Sequence, residues 1–421
     1  MKPPLMSTSS ASPAKPTNLH LAHSWGGGLG HWVREFARAD GYAENLVLES
    51  VGTIDCYGIG LRLRNPKSGA ILDSWVLRHP ISEVRRFHRE YAAILAAICS
   101  DFGVGHIYVS SLIGHTLDVF GLGVPVTHIY HDYFSYCPAL FIFRGGVCTS
   151  CTLEDLRWCK RVQTHYPPKN SPHYYPEFRD AFFAAVAAAD VRHVCPSRSL
   201  ARNLRTLDAR FEAIDFTFIE HGITYRKRDC FGGAQGERRL RVGLLGHLNW
   251  NKGLETMRRI FATARVIADL HFIGAHDGGA EFAGRWGANF VHHYSGGELP
   301  SLLDRHRPDL VLFLPLVPES FSYTLSEAWC FCIPPATRPI GALAERIDEG
   351  VDGFFLGPED DDVVDFLLFV DRERDALRRM AHRLRSKSVR TVAETVNEYY
   401  RLRTDASATP GAGAMFPSAP G

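Results

Sequence analysis

Short apolar runs alternate with stretches of helical periodicity along most of the chain. In the first half, strands are predicted at 19–23, 107–110, 124–130, 191–195 and 216–220, helices at 83–100 and 177–189, and hairpins over 45–77. In the second half, strands are predicted at 240–245, 270–274, 290–293 and 309–314, with helices between them. Because strands that alternate with helices form parallel sheets covered on both faces, the pattern predicts an α/β protein with two doubly wound, Rossmann-like domains.

Shifts in composition suggest where the domains begin and end. The predicted order is a disordered lead over 1–17, a first domain over 18–225, a second domain over 239–385, a closing helix over 386–403 and a disordered tail over 404–421. Ser388 is predicted to cap the closing helix, whose apolar face carries Val389 and Val392. Packing against the first domain and packing within the second domain are both compatible with this helix.

The charge of the chain is balanced, with 47 Lys and Arg residues against 46 Asp and Glu residues. This balance argues against a nucleic-acid partner, which requires a basic surface. No apolar run is long enough for a membrane span, and the N-terminus has no apolar signal core. We therefore expect a cytoplasmic protein, with peripheral association at the inner face of the membrane left open.

Ligands of open parallel sheets bind beyond the carboxyl ends of the strands, and three segments fall there. In Ser24–His31, Gly27 and Gly28 stand where a helix begins, so its free N–H groups could bind an anion. A tight turn without a ligand explains this loop equally well. In Gly246–Gly253, Lys252 stands at a helix start, where an ammonium suits a phosphate. The alternative is a solvated lysine at a turn.

The third segment carries two carboxylates, Glu319 and Glu327, after a predicted strand. A helix is expected to start near Ser322 to Thr324, which offers free N–H groups and two hydroxyls to phosphate oxygens. Glu327 then lies about one turn into the helix, where it can accept both hydroxyls of a ribose diol. Taken singly, each carboxylate is explained as well by a solvated loop or a favourable helix dipole.

Together these segments carry a family resemblance. The stretch Pro318–Ile347, the later Asp352-Gly353 and the loop Gly246–Gly253 resemble the donor site of retaining GT-B glycosyltransferases of group 1, glycosyltransferase family 4. The resemblance spans roughly 240–360 and is thin over the first domain. It implies the GT-B architecture, in which two Rossmann-like domains face a cleft, the first on the acceptor side and the second binding the donor.

The resemblance also implies residue roles. Glu327 would hold the ribose of a nucleotide sugar, Glu319 would contact the donor sugar, and Lys252 would neutralise the diphosphate. The catalytic residues would be Glu319, Lys252 and His131, the last near the donor sugar. The donor site would further include His247, Ser322, Tyr323, Thr324, Gly27 and Gly28. His247 departs from the family, which commonly has Arg at this position.

The activity implied is transfer of a sugar from a nucleoside diphosphate sugar to a hydroxyl of a glycan or lipid-linked acceptor. Retention is expected, with the departing phosphate deprotonating the acceptor and no cofactor required. A role in bacterial surface polysaccharide synthesis fits this activity. Two alternatives stay open: a non-catalytic nucleotide-sugar-binding subunit, and another GT-B enzyme such as a nucleotide-sugar epimerase.

A cysteine-rich insertion is predicted over 137–159. Cys137, Cys148, Cys151 and Cys159 are separated by ten, two and seven residues. Four thiolates in a cytosolic protein favour a structural zinc over a disulfide, although the spacing matches no standard ribbon. Bound zinc and uncoordinated thiols are equally compatible with the sequence.

Overall fold

The computed structural model describes residues 15–25, 27–53, 55–163, 166–167, 169–227 and 238–405. Most of the predicted lead and tail, and Gly26 of the first loop, lie outside these residues. The chain divides into two compact units. Unit 1 comprises Met1–Arg144, Cys148–Val194 and Leu204–Phe216, and unit 2 comprises Gly145–Val147, Cys195–Asn203 and Thr217–Gly421.

The first sheet has eight strands in the order β4-β3-β2-β1-β5-β6-β7-β8. They are β1 Thr17–His23, β2 Glu44–Val51, β3 Gly60–Arg64, β4 Ile71–Val76, β5 Val104–Val109, β6 Val126–Ile129, β7 Val191–Cys195 and β8 Phe216–Phe218. The first-half helices are α1 Gly27–Ala39, α2 Arg89–Asp101, α3 Leu153–Val162, α4 Tyr174–Ala188 and α5 Arg198–Leu207. Strands β1, β2, β5, β6 and β7 are parallel, while β3 and β4 add an antiparallel edge, as the predicted hairpins required.

The second sheet is parallel throughout, in the order β11-β10-β9-β12-β13-β14. Its strands are β9 Leu240–Leu245, β10 Ala268–Ile273, β11 Asn289–Val291, β12 Leu310–Phe313, β13 Pro335–Thr337 and β14 Phe354–Phe355. The helices are α6 Leu254–Ile267, α7 His276–Trp286, α8 Leu299–His306, α9 Tyr323–Cys330, α10 Ala342–Arg346, α11 Asp360–Arg372, α12 Arg374–Leu384 and α13 Val392–Asp405. The predicted α/β architecture with two Rossmann-like domains is therefore confirmed.

Two predicted helix starts were wrong. Helix α2 starts at Arg89 because His88 is its cap: the backbone of His88 is extended and its side chain accepts from Tyr91 N. Helix α13 starts at Val392, because Thr391 Oγ1 accepts from Glu394 N, so Ser388 lies before the helix.

No helix within the described ranges is long and apolar enough to cross a bilayer.

Asp309 anchors the start of β12 by a buried ion pair. Its fully buried carboxylate accepts from Arg238 Nη2 at 2.7 Å, Arg238 Nη1 at 2.9 Å and Arg241 N at 3.0 Å. These contacts hold β12 against the chain that enters β9.

We predict that Asp309→Ala lowers the free energy of unfolding by about 3 kcal/mol, because the variant leaves a partly buried guanidinium without its counter-charge. Denaturant unfolding measures this change. The control is Asp304→Ala, which removes an exposed pair with Arg307 and should shift stability by no more than about 0.5 kcal/mol. Equal losses in both variants would contradict the prediction.

Candidate functional site

The candidate site lies where β9 and its neighbour β12 end, because the carboxyl ends of parallel strands share one edge of the sheet. The loop after β9 holds His247 and Lys252, and the loop after β12 holds Glu319. A backbone hydrogen bond of 3.0 Å from Leu316 N to Asn251 O joins the two loops. The structure thus brings together residues that are about seventy positions apart in the sequence.

Two glycines allow the loops to approach this closely. Gly253 has a φ of +90°, and a Cβ built on it would lie 2.4 Å from Leu314 Cβ. Gly341 has a φ of +62°, and its Cβ would lie 2.7 Å from Glu319 N. Any larger residue at either position would push the loop after β12 away from the site.

Lys252 and Glu319 form an ion pair in which Nζ lies 3.3 Å from Oε1. Both side chains line a small cavity at the strand ends. Its lining residues are Leu244, Leu245, Gly246, His247, Leu248, Lys252, Leu312, Phe313, Leu314, Pro315, Glu319 and Thr324. Opposite charges at the rim of a pocket can bind an anion and hydroxyl groups side by side.

Glu327 is buried one turn into α9, and its Oε2 has no hydrogen-bond partner among the described residues. Burial raises the pKa of this carboxyl to about 7, and the charge of Lys252 opposes the rise. A buried carboxylate is costly unless donors satisfy it. Two adjacent ligand hydroxyls would supply those donors.

The start of α9 lies next, with its first backbone N–H groups at the helix N-terminus. Tyr323 and Thr324 occupy the first turn, where N–H groups lack partners within the helix. Ser322 precedes them with a φ of +90°, and its Oγ lies 3.2 Å from Thr324 Oγ1. The Tyr323 ring stacks on His221 with centroids 5.7 Å apart. The predicted helix start, with its two hydroxyls, is present.

His247 lies at the same cavity, and its ring centroid is 4.6 Å from that of His276. Burial lowers the pKa of His247, and the charges of His276 and Lys252 lower it further. The imidazole is therefore neutral at neutral pH. His276, the first residue of α7, was not identified from the sequence, although its position after β10 is a strand-end signal.

In unit 1, the predicted residues lie at the carboxyl edge of the first sheet. Gly27 and Gly28 open α1, and Gly27 has a φ of +73°. His131 follows β6, and its ring centroid lies 5.1 Å from that of Trp32 in α1. Burial lowers the pKa of His131 to about 3, so this imidazole is neutral at neutral pH. The adjacent Asp132, whose pKa burial raises to about 6, was missed from the sequence.

The four cysteines of the insertion line one cavity in unit 1. Arg179 lies beside them and donates from Nη2 to Cys151 Sγ at 2.9 Å. Burial raises the pKa of Cys137 to about 12 and that of Cys159 to about 11. Within the described part of the chain, no three His, Cys, Asp or Glu side chains are arranged to hold a metal ion. The thiols would have to close around a zinc ion, and the zinc site stays a prediction.

Comparisons with known proteins identify the fold. No family model and no curated protein matches the sequence. Anabaena Alr3699/HepE, solved in complex with UDP, matches with a TM-score of 0.60 at 13% identity over 92% of this chain and 100% of that one. A glycosyltransferase from Rickettsia africae matches with a TM-score of 0.59 at 12% identity over 94% of this chain and 100% of that one. Sucrose-phosphate synthase from Thermosynechococcus elongatus matches with a TM-score of 0.59 at 14% identity over 94% of this chain and 99% of that one. The chain has the GT-B fold of these enzymes.

The buried carboxyl of Glu327 predicts a pH-dependent stability. Its pKa is raised in the folded state, so the unfolded chain releases this proton at lower pH. We expect the wild type to lose up to about 3 kcal/mol of stability as pH rises from about 4.5 to 7. Chemical unfolding across this range, compared with Glu327→Gln, isolates the effect. Parallel pH profiles of the two proteins would contradict it.

For the cysteine cavity, a structural zinc site would give about one zinc ion per chain, because four thiolates complete a tetrahedral ligand set, whereas uncoordinated thiols would give none. Elemental analysis of protein purified without chelators measures the metal, and a Cys148→Ser/Cys151→Ser variant should lose it. Cys99→Ser, outside the cavity, is the matched control. Zinc-free wild-type protein would show that the cysteines are uncoordinated.

Proposed function

We propose that the protein is a glycosyltransferase that uses a nucleoside diphosphate sugar as donor and a hydroxyl group as acceptor. The observation that carries the proposal is the buried Glu327 carboxylate, whose Oε2 lacks a hydrogen-bond partner in the described residues, in the same helix whose N-terminus lies at the cavity that Lys252 lines. A ribose diol satisfies the carboxylate, and a diphosphate satisfies the ammonium and the helix amides.

In this proposal, each group acts on a different part of the donor. Glu327 accepts the two ribose hydroxyls, and the amides of Tyr323 and Thr324 donate to the diphosphate. Lys252, whose Nζ lies 3.3 Å from Glu319 Oε1, contributes its positive charge to binding the diphosphate. Glu319 accepts a hydrogen bond from a hydroxyl of the sugar. The cation and the amides stabilise the charge that grows on the leaving diphosphate as the glycosidic bond breaks.

The fold supports uridine diphosphate sugars as the first donors to test, because HepE, which shares the fold, has been solved with UDP and with UDP-glucose. Finer features of the proposal depend on the family resemblance. They are retention at the anomeric carbon, a hexose as the transferred sugar, His131 as a contact to that sugar, and a glycan or lipid-linked acceptor of a bacterial surface polysaccharide.

Donor binding is tested by thermal unfolding with UDP-, GDP-, ADP- and dTDP-sugars. A ligand at one hundred times its Kd should stabilise the protein by about 2.7 kcal/mol. We expect one nucleotide class to raise the Tm of the wild type and to have little effect on Lys252→Ala. Glu255→Ala, a change on the exposed start of α6, should behave as wild type. No shift with any nucleotide sugar would contradict the proposal.

Catalysis is tested separately with Glu319→Ala, followed by donor hydrolysis and transfer. This variant should retain nucleotide binding and lose about one-hundredfold in turnover, because it removes a contact to the transferred sugar. If the wild type binds nucleotide but neither hydrolyses nor transfers the sugar, the protein is a nucleotide-sugar-binding subunit. Interconversion of two nucleotide sugars would instead identify an epimerase.

A further inference from the structure

A buried guanidinium lies directly behind the start of α9. It belongs to Arg346, the last residue of α10, whose side chain is 5% exposed. Nη1 donates to Ser322 O at 2.9 Å, and Nη2 donates to Ser326 Oγ at 2.7 Å. The guanidinium carbon also lies 3.9 Å from the centroid of the Phe321 ring. Arg346 therefore contacts the residue before the helix, a residue within it and the loop that leads into it.

These contacts hold an unfavourable backbone conformation. Ser322 has a φ of +90°, which a residue with a side chain adopts only where its surroundings enforce it. The hydrogen bond from Arg346 to Ser322 O fixes the peptide that joins Ser322 to Tyr323. Since the amide of Tyr323 belongs to that peptide, Arg346 fixes the orientation of the first amide at the helix start.

The charge of Arg346 is only partly balanced. Its nearest carboxylate, Glu220 Oε2, is 3.7 Å from Nη2 and belongs to a half-exposed side chain. Glu345 is already engaged, because its carboxylate accepts from Arg198 N at 2.9 Å and Ser199 N at 2.6 Å. Arg346 Nε is buried without a hydrogen-bond partner in the described residues. Burial lowers the pKa of Arg346 to about 10, so the group stays charged at neutral pH.

We propose that Arg346 is a positioning residue for the donor diphosphate: it orients the amides at the start of α9 and supplies a positive charge from behind them. This inference rests on the proposed function, because it assigns the diphosphate to this helix start. A cation in a medium of low polarity acts over several ångströms, so direct contact with the ligand is not required.

The test uses isothermal titration with UDP, uridine and inorganic pyrophosphate. We expect Arg346→Met to weaken UDP and pyrophosphate binding about tenfold or more, and to change uridine affinity by less than about twofold. Arg346→Lys should restore part of the loss, because it returns the charge without the two-pronged contact. Loss of a residue with a purely structural role would change the affinities for uridine and UDP by the same factor.

Glu220→Gln gives a result of opposite sign. Removing this counter-charge should raise UDP affinity about twofold, because the field of Arg346 at the helix start is then less compensated. Because the Glu220 side chain is half-exposed, the Glu220→Gln variant should fold, and it serves as the test if Arg346→Met does not fold. Unfolding measured without nucleotide shows whether each variant is folded. Unchanged or weaker UDP binding in Glu220→Gln would overturn the inference.

The outcomes separate the two proposals. If wild-type protein binds UDP or pyrophosphate and Arg346→Met binds them equally well, the inference about Arg346 is wrong and the proposed function stands. If Arg346→Met weakens uridine and UDP by the same factor, Arg346 has only a structural role. If wild-type protein binds none of the three probes, the proposed donor site is wrong and the inference falls with it.

Discussion

The rest of the candidate site depends on one buried carboxylate in α9, the helix that follows β12. Glu327 is buried in α9, and its Oε2 has no hydrogen-bond donor among the described residues. Such a group costs stability, and burial therefore raises its pKa to about 7. The cost is offset when a ligand brings hydroxyl donors. Gly253 and Gly341 allow the loops after β9 and β12 to approach each other closely. Lys252 and the start of α9 therefore lie at the same cavity.

The charges near this point are paired in a way that suits an anionic ligand. Lys252 Nζ lies 3.3 Å from Glu319 Oε1, so a positive and a negative group stand side by side at the cavity. His247 is neutral because burial and neighbouring positive groups lower its pKa. Arg346 provides a permanent charge behind the amides of α9 and holds Ser322 O. Lys252 in the loop and the buried Arg346 behind the helix would then both stabilise the charge on the leaving diphosphate.

Local patterns predicted much of this, and tertiary contacts explain what was missed. The strand Leu240–Leu245 and the helix start at Tyr323 follow from apolar runs and turn residues that are contiguous in the sequence. The sequence also contains the signal for the cap of α13, because Thr391 and Glu394 have capping-box spacing, so the prediction of a cap at Ser388 was wrong for a local reason. The burial of Arg346 could not be predicted from the sequence, because an arginine at the end of a short helix is usually solvated. Its burial depends on contacts with residues about twenty positions upstream.

The central claim is that Glu327 binds the ribose diol of a nucleoside diphosphate sugar. Its most direct test is titration of UDP and 2′,3′-dideoxy-UDP into wild-type protein and Glu327→Gln at pH 8, where the carboxyl is ionised. The account predicts that loss of the diol weakens binding to the wild type by about tenfold or more, as expected for hydrogen bonds to a charged group, and weakens binding to the variant far less. Equal penalties in the two proteins would contradict it.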